Sequence, residues 1–175
     1  MAVPYQGVTV VDTTGLTGAY ATRLFAGLGA EVVHLEPPQG SALRQLAPFV
    51  ESVDSPENSL WWNYLAMGKR SVVLEPGDTD SLERLISQAD VVFEDQLPER
   101  SGIPAELIGP STIRTRILPF GLTGPKRGWK SSNLVAWAGS GILYTTGFTD
   151  RPPVAPAAPV QLACHAAGAS ALVGT

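Results

Sequence analysis

One cysteine, Cys164, and two histidines, His34 and His165, are all that this chain of 175 residues holds of the side chains that make disulfides or nitrogen and sulfur metal sites. A lone thiol cannot close an intramolecular bridge, and these three residues do not stand at metal-ligand spacing. No metal is expected, and a reducing cytoplasm is the expected compartment. Positive charge is scarce too: 12 Lys and Arg face 16 Asp and Glu for a net charge of -4. There is no basic run to follow a phosphate backbone, so nucleic acid is not an expected partner. No apolar run approaches the ~18 residues of a membrane span. The start, Met1 to Gln6, carries neither a basic nor an apolar leader segment, so a soluble protein away from the membrane is expected. A chain of this length forms one domain, able to withdraw roughly 70% of its unfolded surface from water.

What is present is an alternation of short β-branched runs with helical periodicity. Val8 to Asp12 reads as a buried strand followed by a turn at Gly15 and Gly18. Tyr20, Leu24, Phe25 and Leu28 then repeat at helical spacing, and Gly29 stands where a left-handed C-terminal cap is wanted. Glu31 to Glu36 is the second strand, stopped by Pro37 and Pro38, and Ser71 to Leu74 the third. Asp80 with Glu83 predicts a capped helix with Leu82, Leu85, Ile86 and Ala89 as its apolar stripe. Val91 to Phe93 makes a fourth strand. Thr112 to Leu118 makes a fifth, whose stronger alternation suits a place near the sheet edge.

Repeated strand-helix-strand units predict an α/β fold, a Rossmann-like parallel sheet with helices on both faces. Gln39 to Trp62 reads as a long polar loop, and loops of that size are functional or mobile. Residues 1–128 form the βαβ core of this reading. Residues 129–175 form a helical segment, with helices expected at Asn133 to Tyr144 and Leu162 to Val173 around the proline-rich Arg151 to Pro159. A dinucleotide site is not expected: Glu36 stands where an acid would hold a ribose, but Gly15 and Gly18 do not form G-x-G-x-x-G, so NAD has no phosphate turn. The tryptophans at 61, 62, 129 and 137 read as core or interface anchors.

A series of collinear segments then carries a resemblance. Tyr20 to Leu24, Leu28 to Val33 and Glu36-Pro37-Pro38, followed by Gly40 and Arg44, lead to Gly68-Lys69-Arg70-Ser71-Val72. Ala89 to Glu94, Phe120-Gly121-Leu122-Thr123-Gly124-Pro125, and Leu134-Val135-Ala136 with Gly141-Ile142-Leu143 follow in order, and Pro159 to Ser170 closes the series. Together they resemble the class III CoA-transferases, the CaiB/BaiF family that includes the 2-methylacyl-CoA racemases. The match covers the N-terminal half of the family pattern, so the fold is incomplete relative to the family's two-domain one.

The resemblance implies CoA or acyl-CoA as ligand, held at the carboxyl ends of the strands, with Arg44, Lys69 and Arg70 placed to meet its phosphates. It also implies association with a second copy or another CoA-transferase-like chain. On the ungapped match, the family's acyl-carrying aspartate falls on His165 and its preceding glycine on Cys164, while Ser132-Asn133 stands for a histidine-aspartate pair. An imidazole cannot form the carboxylate-derived thioester of the transferase cycle. The sequence therefore predicts a degenerate CoA-transferase-like domain, with an active enzyme of altered nucleophile (His165 or Cys164) and a non-catalytic acyl-CoA sensor as the alternatives. Adjacent on a helix, the Cys164 and His165 side chains must diverge, and Cys164 reads as a buried thiol without reactivity.

Overall fold

The computed structural model describes residues 3–50, 55, 57–155 and 161–175. Five strands, β1 (Thr9–Asp12), β2 (Glu31–Glu36), β3 (Arg70–Val73), β4 (Val91–Glu94) and β5 (Ile113–Arg116), form one sheet in the order β3-β2-β1-β4-β5. Every pairing is parallel. Helices α1 (Ala19–Gly27), α2 (Leu60–Leu65), α3 (Thr79–Ser87), α4 (Asn133–Gly139) and α5 (Leu162–Gly174) connect and cover it. No helix among the described residues is long and apolar enough to cross a membrane.

Strand alternation assigns the two faces. Val10, Val32, Val91 and Phe93 pack with Ala21 and Phe25 of α1 and with Ala167, Ala171 and Leu172 of α5. Val11 and Val92 point the other way, onto Ile86 of α3, Ala89 and Ile103. Both faces of β4 are thereby sealed, which is why its four residues are all buried and why the strand is apolar apart from its last residue. β5 lies at an edge, as its alternation predicts, and Gly29 adopts φ +98° beyond α1 as expected of the cap.

Three local expectations are corrected. Asp78, not Asp80, caps α3: its carboxylate accepts from the Ser81 N–H at 3.1 Å, and Asp80 sits in the first turn. The stretch from Gln39 to Trp62 is not all loop, because Ala42–Gln45 forms a 3-10 turn and α2 begins at Leu60. α2 buries Trp62 and Leu65 against Leu43 and Ala19. The helix expected from Asn133 to Tyr144 stops at Gly139. Gly141 takes φ +81°, which a continuing right-handed helix cannot use, and a 3-10 turn follows at Ile142–Thr145.

Candidate active site

The strand order reverses between β1 and β4, and in an open parallel sheet the diverging connections leave a crevice at that point, beyond the carboxyl ends. Here the loop after β1 is tied to β4: the Thr13 N–H and hydroxyl both donate to the Phe93 carbonyl (3.1 and 3.0 Å), and the Gly15 N–H donates to Asp95 Oδ2 at 2.8 Å. Above this joint opens a cleft of about 630 Å³. Its walls come from Leu16 and Thr17 after β1, Ile117 to Pro119 after β5, the start of α4 at Ser132 and Asn133, and the first turns of α5 at Gln161, Cys164 and Ala167. Ser132 caps α4 by accepting from the Val135 N–H, and Asn133 Oδ1 accepts from the Ala163 N–H at 3.2 Å, which locks the two helix starts together.

Cys164 and His165 diverge as helix geometry requires, and they enter different surroundings. Cys164 lines the cleft, whereas His165 turns away from it into an aromatic recess beside Trp61 and Tyr64. The cleft-facing side chain at this level of α5 is thus a thiol. Burial pushes the Cys164 pKa up, and the nearby Asp95 carboxylate pushes it further. Asp95 itself is raised, first by burial, with the Asp12 carboxylate adding to it against the Gly15 N–H. A raised thiol is a poor nucleophile at neutral pH. Alkylation of Cys164 by iodoacetamide at pH 8 should therefore be slow, and Asp95→Asn should speed it a few-fold by removing the negative charge. An unchanged rate would mean that burial alone governs this thiol.

The three cations singled out in the sequence are not gathered at the cleft. Lys69 reaches under α1, its side chain 2% exposed, and its ammonium donates to Asp12 Oδ2 (2.9 Å), the Ala19 carbonyl (3.0 Å) and Thr22 Oγ1 (2.7 Å). All three of its protons are used, leaving none for a phosphate. Arg70 opens edge strand β3, and its guanidinium pairs at 2.6 Å with Glu31 at the amino end of β2, away from the carboxyl ends. Arg44 does stand at the carboxyl end of β2, but it donates to both oxygens of Glu36 at 2.8 Å and to Glu57 at 3.0 Å, and it stacks 3.7 Å from the Trp62 ring centre. That pairing, with the Ser71 hydroxyl and the Ser41 N–H, holds Glu36 down from 4.5 to about 2 despite its burial.

Sequence reasoning missed the buried core of this end of the sheet. Asp12, fully buried, accepts from Lys69, from His34 Nδ1 (3.1 Å), from the Thr22 hydroxyl (2.7 Å) and from the Thr14 N–H and hydroxyl (2.9 and 2.7 Å). Burial alone would raise its pKa. The Lys69 charge and the His34 hydrogen bond outweigh that and hold the carboxylate well below its usual range. Asp12 thereby fixes the turn that carries Leu16 and Thr17 to the cleft. The available signal was a carboxylate ending the apolar run Val8 to Val11, in a chain with only 12 cations to partner its acids. Glu94 repeats the device at the end of β4, accepting from Ser101 and Arg114 with Arg116 at 3.2 Å.

The match to known proteins runs through all of this. The family model CoA-transferase family III aligns with residues 5–175. The chain belongs to CoA-transferase family III. Among family members, the BbsE subunit of succinyl-CoA:(R)-benzylsuccinate CoA-transferase from Thauera aromatica is 33% identical over all of this chain and 44% of its own length. A formyl-CoA:oxalate CoA-transferase from Streptomyces coelicolor is 35% identical over 89% of the chain and 39% of its own length. A CaiB/BaiF family protein from Brucella suis superposes with a TM-score of 0.86 at 26% identity, covering 99% of this chain and 48% of that structure. The chain thus spans less than half the length of the family members it matches.

Proposed function

We propose that this chain is a CoA-transferase-type domain that binds CoA or an acyl-CoA at the β1–β4 cleft without carrying the acyl group itself, and that it works with a partner. The observation that carries this reading is the cleft wall supplied by α5. Whichever of Cys164 and His165 stands for the family's aspartate, neither is a carboxylate, and the one facing the cleft is a thiol held protonated by burial and Asp95. A transferase cycle through a protein-bound anhydride and then a protein–CoA thioester needs a carboxylate there. Ser132 and Asn133, in place of a histidine-aspartate pair, cap and clamp helices and supply no acid/base pair for the racemase alternative.

The cleft has the size and apolar lining of a small-molecule site, and its place at the strand-order reversal supports a ligand there. A partner is supported by the apolar side chains that the C-terminal third exposes, with Tyr144 and Val173 at 88% and Phe148 at 72%. Surfaces of that kind mark association sites. A second copy or a complementary CoA-transferase chain would cover them.

The test is calorimetric titration with CoA and with succinyl-CoA, followed by intact-mass measurement. The expected result is reversible binding and no adduct of CoA mass. A hydroxylamine-sensitive adduct would establish an acyl-carrying residue and overturn the degenerate reading. An absence of heat would leave a purely structural partner.

A further inference from the structure

His165, also singled out by the sequence, does not line the cleft either, and its surroundings are those of a second site. Pro48, Leu60, Trp61, Tyr64 and His165 line a recess of about 310 Å³ on the α2 side of α5. The imidazole lies 4.5 Å from the Tyr20 ring and 6.1 Å from each of Trp61 and Tyr64, tilted to all three by 36° to 51°. Its Nδ1–H donates to the Gln161 carbonyl at 2.8 Å. A carbonyl can only accept, so this bond fixes the tautomer: in the neutral ring Nε2 carries the lone pair, at the end of the imidazole away from its own helix. Among the described residues Nε2 has no hydrogen-bond partner.

We propose that this recess binds a small planar ring bearing one hydroxyl group, a phenol-type ligand whose O–H donates to His165 Nε2 and whose ring packs between Trp61 and Tyr64. The chemistry of the lining selects this class. Among the described residues, no acidic or basic side chain other than the imidazole lines the recess. Arg23, stacked 4.2 Å from the Tyr64 ring centre, donates its Nε–H to the Tyr64 carbonyl at 2.7 Å. Arg23 is not among the lining side chains, so an aromatic carboxylate meets no cation in the recess itself. A plain hydrocarbon ring fills the space but leaves the Nε2 lone pair covered and undonated, which is costly. The volume sits at the small end of ligand pockets, roughly 300–1,000 Å³, and suits one ring. The recess is separate from the cleft, since Cys164 lines one cavity and His165 the other.

Phenol, toluene and benzoate are titrated into the full chain labelled with ¹⁵N, following the Trp61 indole N–H and the His165 Nε2 signals. Phenol is expected to bind about 5-fold more tightly than toluene, the worth of one added hydrogen bond, to bind more tightly than benzoate, and to shift Nε2 where toluene does not. His165→Phe should equalise phenol and toluene, and Trp61→Ala should weaken both. The proposal is overturned if wild-type protein binds phenol and toluene equally, if benzoate is preferred, if the phenol preference survives in His165→Phe, or if the signals move only with protein concentration. That last result would make the recess a contact between copies. Should His165→Phe not fold, the Nε2 shift of the wild-type protein decides.

Discussion

Lys69→Met is expected to lower the unfolding free energy by about 3 kcal/mol or more, because it leaves the Asp12 carboxylate fully buried without its cation. The loss is a large fraction of the ~5–15 kcal/mol that holds a domain folded. Lys69 also ties the Ala19 carbonyl and Thr22 to β1, so the turn carrying Leu16 and Thr17 should loosen, and ligand binding at the cleft should weaken with it. Urea unfolding with a double-mutant cycle checks this. Asp12→Asn and Lys69→Met should each be costly, while the double variant should cost less than their sum, since it leaves no unpaired charge. Additive losses would show that the pair is not energetically coupled.

Acid sensitivity follows from the same carboxylates, with the sign set by depressed native pKa values. Stability contributed by Glu36 is complete above its unfolded value of 4.5 and is lost as pH falls towards about 2. Asp12 acts in the same direction, its loss continuing to still lower pH. Arg44→Met should flatten the stability profile between pH 4.5 and 2, because Arg44 is the largest cause of the Glu36 depression.

Gly168→Val is expected to be the most damaging single change on α5. A Cβ at this position would stand 2.8 Å from the Ala21 backbone nitrogen and 3.0 Å from the Tyr20 Cβ. The contact is with helix backbone, which cannot rotate aside, so α5 must lift from α1. Valine brings two further methyl groups to the same gap. Overpacking of this kind costs about 1–3 kcal/mol and sometimes more. The expected cost here lies at the upper end, because the crossing is the seam between α5 and the α1 layer of the core. Since Cys164 and Ala167 of the same helix wall the cleft, thiol alkylation should accelerate and CoA binding fall together with the melting temperature. A variant that melts like the wild type would show that α5 does not need this close approach.

The parallel sheet was legible because its strands are short β-branched runs, the central β1 and β4 buried on both faces, separated by helical periodicity. The edge position of β5 showed in its alternation. The family was legible because collinear segments such as Glu36-Pro37-Pro38 and Gly68-Lys69-Arg70-Ser71-Val72 are local patterns. Helix boundaries at Asp78 and Gly139 were less so, since several residues near each end can cap or stop a helix and packing chooses among them. The chemistry of the site lay further from view. Lys69 and Arg70 are neighbours in sequence, yet Lys69, just ahead of β3, sends its ammonium into the core, while Arg70, the first residue of that edge strand, pairs with an exposed glutamate. Cys164 and His165 are likewise neighbours, and a 100° step on a helix puts one in the cleft and the other among aromatic rings.

The α/β class, the family, and the absence of a carboxylate at residues 164 and 165 can be read from the order of amino acids, because these are properties of local pattern and residue identity. Which charges are buried pairs and which side chain faces the cleft emerge with the folded chain, because burial and pairing depend on segments far apart in sequence, such as those of Asp12 and Lys69, meeting in space.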